Sequence, residues 1–269
     1  MIRRIALPLV TIAAVTALAC VDMSAPDGAA SISALLLPSP SVVVGDTMRD
    51  STGAVAPLRV IAYDANSSPI DGLATLFFIT DSAKIAHLAN SSFLVGDKQG
   101  TAHVIGQVTG VQTLPALVHV TLAPTAFALA PTPLPDTLVV DLKGLTDTTA
   151  ASTKTQAIAV TLKGAGDTAT VGFIVKFELV SAPATTAGSA TPAVFISGDA
   201  GKASPVDTTD ATGASRNVVV KSALLADDAL KSGAKSDSVV VLVSTFYKGK
   251  PVSGSPIHVK LPLKIKPGV

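Results

Sequence analysis

The chain has 269 residues, 48% of them hydrophobic, and its 20 Lys and Arg are almost cancelled by 19 Asp and Glu. Basic residues scattered at that balance exclude a surface that tracks a phosphate backbone, so nucleic acid is not an expected partner. The length allows about two domains; Glu178 is the only glutamate, while Val, Thr, Gly and Pro abound, a composition that disfavours helices and predicts an all-β chain.

Residues 1–19 read as a secretory signal, with Arg3 and Arg4 ahead of an apolar run over 5–15 and small residues at the end. The closing Thr16-Ala17-Leu18-Ala19-Cys20 resembles a bacterial lipoprotein signal, although Ala17 stands where such signals prefer a branched aliphatic residue. The resemblance implies cleavage before Cys20 and lipid attachment there. Val21 behind it, by the sorting rules of such proteins, favours the outer membrane or cell surface over the periplasmic face of the inner membrane. Cys20 is the only cysteine, so a lipidated Cys20 leaves no disulfide and each fold rests on its own core. Beyond the signal no apolar run reaches the roughly 18 residues of a membrane span. The expected membrane contact is through the N-terminal lipid alone.

Residues 20–30, with Pro26, Asp27 and Gly28, read as a lipidated tether. Strand patterns follow at 32–37 and 41–44, a first strand broken by Pro38 and Pro40, then at 58–63, 75–80, 83–88, 92–95, 101–108 and 116–122. Pro124, Pro131, Pro133 and Pro135 mark a linker over 125–136, within which 127–130 reads alternatively as a short edge strand. A second series occupies 137–142, 156–162, 171–180, 193–196, 214–221, 238–247 and 257–265. Domain 1 is therefore placed at 31–124 and domain 2 at 137–269, the latter with an insertion near 222–235.

The two series repeat. Val60, Gly72 and Phe77 recur 100 residues later as Val160, Gly172 and Phe177, and Gly110, His119, Val120 and Leu122 recur 139 later as Gly249, His258, Val259 and Leu261, so the second copy is longer by about 39. The stretches Val43-Val44-Gly45-Asp46-Thr47, Val60-Ile61-Ala62-Tyr63-Asp64-Ala65 and Pro69-Ile70-Asp71-Gly72 resemble bacterial immunoglobulin-like domains of the invasin and intimin type. Thr209-Asp210-Ala211-Thr212-Gly213-Ala214 resembles that family's turn before a late strand. Tyr247, Gly249 and Pro251 with Gly254-Ser255-Pro256-Ile257 resemble the closing hairpin of such sandwiches, filamin-type repeats included. The resemblance implies two tandem immunoglobulin-like antiparallel β-sandwiches behind a cleaved N-terminal signal.

Chemistry is sparse. His119 and His258 hold equivalent positions between aliphatic neighbours, which places both on an outer sheet face. If Val108 pairs with Ala116, His103 lies diagonally across from His119, but two imidazoles fall short of the three or four ligands of a zinc site. Asp207, Asp210 and Gly213 outline a loop that lacks the alternating acidic ligands of a calcium site and reads as a turn. No nucleophile elbow and no His-Glu-x-x-His helix occurs, so no catalytic residue, metal site or cofactor is assigned. The Phe residues sit within aliphatic strands and Trp is absent, which ranks a glycan-binding module below a protein-contacting or spacing one. An uncharacterised hydrolase ranks lower still, having no convergent carboxylate pair to carry it. Within 222–235, Leu224, Leu225, Asp227, Asp228, Leu230 and Lys231 suit a short amphipathic helix stopped by Gly233. That segment is either the contact site for a protein or glycan at the cell surface or a cover over an apolar edge.

Overall fold

A computed structural model describes residues 29–81, 83–141, 153–198 and 201–266. The signal reading and Cys20 lie outside the described residues.

In the first half, strands β1 (Ser31–Ile32), β2 (Ser41–Val43), β3 (Ala62–Tyr63), β4 (Pro69–Ile70), β5 (Thr75–Ile79), β6 (Ala86–Ala89), β7 (Phe93–Gly96), β8 (Gly100–Val108), β9 (Val111–Gln112) and β10 (Ala116–Thr121) form in order. One sheet runs β2-β10-β8-β5, with β2 parallel to β10 and the rest antiparallel; β1-β3-β4 and the β6-β7 hairpin make up the other layer. Period-2 alternation sets the core. Along β8, Ala102, Val104 and Val108 are buried, and Ala102 and Val104 pack with Leu35, Met48, Leu58, Phe77 and Leu94. Each of the larger side chains contributes about 1.5–3 kcal/mol by leaving water.

The second half contains β11 (Pro124–Leu129), β12 (Leu138–Asp141), β13 (Thr153–Gly164), β14 (Ile174–Ser181), β15 (Val194–Ser197), β16 (Val206–Thr208), β17 (Ala214–Lys221), a short helix α1 (Asp228–Lys231), β18 (Ser236–Tyr247), β19 (Lys250–Pro251) and β20 (Ile257–Lys266). Its sheets run β11-β13-β17-β15 and β12-β20-β18-β14-β16. Lettered by their place in the sheets, β11, β13, β17 and β15 are A, B, E and D and face β12, β20, β18 and β14 as A′, G, F and C, the immunoglobulin-like arrangement, with β16, which follows β15 in the chain, added beyond C. Both halves thus pair their A′ strand in parallel with G, and place F and C beyond it. The repeat positions coincide in structure: Gly72 and Gly172 share positive φ angles of 79° and 83°, and Phe77 and Phe177 are buried at the same point of strand C.

Two expectations need correction. The proline-rich stretch 125–136 is not a spacer, because β11 pairs antiparallel with β13 over Ala126–Leu129 and belongs to the second sandwich. Its prolines do what Pro38 and Pro40 do in the first copy. Lacking an N–H, they interrupt the ladder where the first strand leaves one sheet for the other. The register of β8 and β10 also differs, with Ala116 facing Val104 rather than Val108. Residues Thr109 and Gly110, φ 46° and 89°, make a two-residue turn that pairs Val111 with Val108, so that β10 begins only after an irregular stretch. The extra length of the second copy also supplies β16, which covers the outer edge of β14.

Candidate functional site

Because β10 ends at Thr121 and β11 starts at Pro124, the two sandwiches abut. Strand β2 shows what this does to the sequence. Val42 turns into the first core, while Ser41 and Val43 turn the other way, Val43 joining the second core at 6% exposure. The Ser41 hydroxyl donates to the Gly172 carbonyl at 2.9 Å in a buried bond.

The turn after β2, with Gly45 at φ 74°, presents Asp46 to the hairpin between β18 and β19. Asp46 is the hub. Arg49 forks onto it, Nε to Oδ2 at 2.9 Å and Nη2 to Oδ1 at 3.0 Å. The Tyr247 hydroxyl, from the other sandwich, donates to Oδ2 at 2.9 Å, the Thr47 N–H donates to Oδ1 at 2.9 Å, and Lys248 Nζ lies 3.5 Å from Oδ2. Arg49 also donates to the Gly53 carbonyl, and the Tyr247 ring meets Phe173 edge-on with centroids 6.2 Å apart. The Asp46 side chain is 11% exposed. A cleft of about 70 Å³ opens beside this cluster, lined by Arg49, Lys176, Phe246 and Lys248 among others.

Burial alone would push the Asp46 carboxyl up, but the hydrogen bonds from Arg49, Tyr247 and the Thr47 N–H outweigh it and hold the group below the ordinary carboxylate value. The Tyr247 hydroxyl is pushed well above the usual phenol range, first by burial and then by the adjacent Asp46 carboxylate. The signs are opposite. A depressed carboxyl contributes stability above its unfolded pKa, and that contribution is lost as pH falls through the folded value; a raised phenol contributes below its unfolded pKa, and that is lost as pH rises past it. The joint is therefore expected to stay closed at neutral pH, to loosen below about pH 4 and to loosen again above about pH 10. Small-angle scattering against pH checks this, and Tyr247→Phe should erase the alkaline limb while leaving the acidic one.

The residues singled out in the sequence fall elsewhere. Leu225 and Leu230 are fully buried in the second core, so they fasten the 222–235 segment down and cannot be its contact surface. Asp227 caps α1 by accepting from the N–H groups of Ala229 and Leu230, and its charge partner is Lys235 at 2.7 Å. Lys231 pairs with Asp228 at 3.3 Å, three residues away rather than four. Gly233 does follow the helix, at φ 75°. His103 faces Leu117, and its imidazole is engaged by Asp81 at 3.1 Å. Asp210 accepts from the N–H groups of Thr212 and Gly213 in a closed turn, and Asp207 pairs with Arg216 at 2.9 Å. Among the described residues no group of three or more His, Cys, Asp or Glu converges.

Similar solved structures include an adhesin, an S-layer protein and intimin. The Yersinia pseudotuberculosis adhesin InvE is 18% identical, with 83% of this chain and 56% of that chain covered and a TM-score of 0.34. Domains 4 and 5 of the S-layer protein SbsC give 14% identity over 89% and 99%, at 0.30; the D00-D0 domain of intimin gives 13% over 87% and 99%, at 0.27. No protein-family model and no curated protein matches the chain. The fold assignment itself stands on this chain's own strand order and register.

Asp46 and Tyr247 carry no motif that marks them as partners, being 201 residues apart. The signal that could have found them is the proline pattern. Reading Pro131, Pro133 and Pro135 as the counterpart of Pro38 and Pro40 removes the spacer and forces the turns at the ends of the two sandwiches together.

Proposed function

We propose that this protein is an exported cell-envelope lipoprotein, held by lipid at Cys20 with the outer membrane or cell surface as its favoured site. Its two sandwiches serve as a stiff, non-catalytic pair in adhesion, spacing or protein interaction. The observation that supports the stiff-pair reading is the Asp46 joint. Neighbouring domains in one chain move relative to each other by default unless a substantial interface holds them, and here a largely buried carboxylate takes donors from both sandwiches beside a shared apolar contact at Val43. A rigid pair transmits position and load away from an anchor, which is what a spacing or presenting module requires. Acyl chains on Cys20 would supply membrane affinity at about 0.8 kcal/mol per buried CH₂.

Mass spectrometry of the mature N-terminus, with membrane fractionation of the wild type and Cys20→Ser, tests the anchor. The expected result is an acylated Cys20 in the membrane fraction, and a variant that is released. A soluble, unacylated wild type beginning at another residue would sink it.

A further inference from the structure

Strand C ends its sheet in the first sandwich but not in the second, and the repeat makes the difference legible. In the second copy β16 pairs with β14 along its outer edge, Val206 to Lys176 and Thr208 to Ile174, and the outward residues of β14 in line with that pairing are Lys176 and Glu178, with Val180 exposed past the register shift near the strand's end. Among the described residues of the first copy, no strand pairs with the outer edge of β5. The residues at the equivalent outward positions, 100 earlier, are Leu76 and Phe78, exposed by 56% and 44%. The copy whose edge is covered carries charges there, whereas the copy whose edge is open carries a leucine and a phenylalanine. Exposed, flat, apolar edges are what soluble proteins ordinarily avoid.

We infer that β5 is a self-association edge, taken by β5 of a second copy of this chain in antiparallel pairing about a two-fold axis at Phe77. The backbone parity fits. The Thr80 N–H bonds to the His103 carbonyl on β8 at 3.1 Å, so the even positions of the strand bond to β8 and the N–H and C=O groups of Thr75, Phe77 and Ile79 point to the open side. Centring the axis on Phe77 pairs these three with Ile79, Phe77 and Thr75 of the partner copy. It also sets Leu76 directly against Phe78 of that copy, twice, as non-hydrogen-bonded pairs in which side chains approach most closely. Charge agrees with the same direction. Exposed Asp71 precedes the strand and exposed Lys84 follows it, so an antiparallel partner brings the acidic start of one copy to the basic end of the other. The contact is small against the roughly 800 Å² per partner of a standard interface, which makes it a weak, reversible dimer rather than an obligate one.

Sedimentation velocity on the full chain carrying Cys20→Ser, free of lipid and of any disulfide, tests this apart from the anchor. The wild-type edge should give a monomer–dimer equilibrium between about 1 µM and 1 mM. Leu76→Glu/Phe78→Glu, which opposes like charges at both contacts, should weaken it at least about tenfold with an unchanged circular dichroism spectrum. Leu76→Lys/Phe78→Glu, which installs the second copy's residues and opposes Lys to Glu in this register, should associate more tightly than the double-Glu variant. A wild type that stays monomeric throughout overturns the proposal and leaves the edge to a partner of different sequence. A dimer indifferent to the double-Glu change, or a Lys/Glu variant no tighter than it, overturns it as well.

Discussion

Asp46→Asn is expected to open the joint between the sandwiches while leaving both cores folded. The amide keeps the volume of the carboxylate but replaces one acceptor with a donor, facing an Arg49 fork and a Tyr247 hydroxyl that both donate. Arg49, with its side chain 25% exposed, loses its charge partner. Breaking a largely buried pair from one side leaves the other charge uncompensated, and about 2–4 kcal/mol is the expected loss. Because the joint is what the pair of sandwiches shares, the loss should appear as a larger maximum dimension in small-angle scattering and as separation of one melting transition into two. The control is Asp64→Asn in the first sandwich, whose carboxylate accepts from the N–H groups of Asn66 and Ser68 in the turn between β3 and β4 and should leave the scattering profile unchanged. Identical profiles for Asp46→Asn and wild type would show that the joint does not depend on this hub.

The parts of this molecule that were legible in the sequence are those written in local periodicity. Alternation along β8 and β18 gives their inward faces residue by residue, and glycines at positive φ recur at matched places because each copy needs the same turn before strand C and the same two-residue hairpin after strand F. What stayed hidden depends on where distant segments meet. Val43 looks like any inward strand residue, yet period-2 alternation only says that it opposes Val42, and it is the neighbouring sandwich that makes both faces of β2 buried. The leucines of 222–235 form an amphipathic pattern whose partner the sequence does not name; the second core supplies it, and Leu225 and Leu230 vanish from the surface. The edge of β5 is the reverse case. Leu76 and Phe78 alternate with Phe77 and resemble a strand buried on both faces, and only the sheet order, in which no described strand pairs with the outer edge of β5, turns them into an exposed pair.

Gly172 and Gly72 provide a second test of the joint with its own internal reference. Both precede strand C at nearly the same positive φ, so alanine at either position incurs the left-handed conformation cost of about 1–2 kcal/mol. At Gly72 nothing lies within 4 Å of where the new Cβ would sit, and Gly72→Ala should lose no more than that backbone cost. At Gly172 the same atom would come 2.6 Å from the Ser41 Cβ and 3.2 Å from its Oγ, in the strand that the first sandwich contributes to the contact. Neither neighbour is the far end of a flexible chain. Gly172→Ala is therefore expected to lose a further 1–3 kcal/mol or so through overpacking and to displace β2 together with the Ser41 hydrogen bond to the Gly172 carbonyl. Urea unfolding of the two variants measures the difference, and Ser41→Gly in the Gly172→Ala background, which removes the atom in collision, should recover part of it. Equal losses at Gly72 and Gly172 would mean that the sandwiches do not approach at β2 as closely as this joint requires.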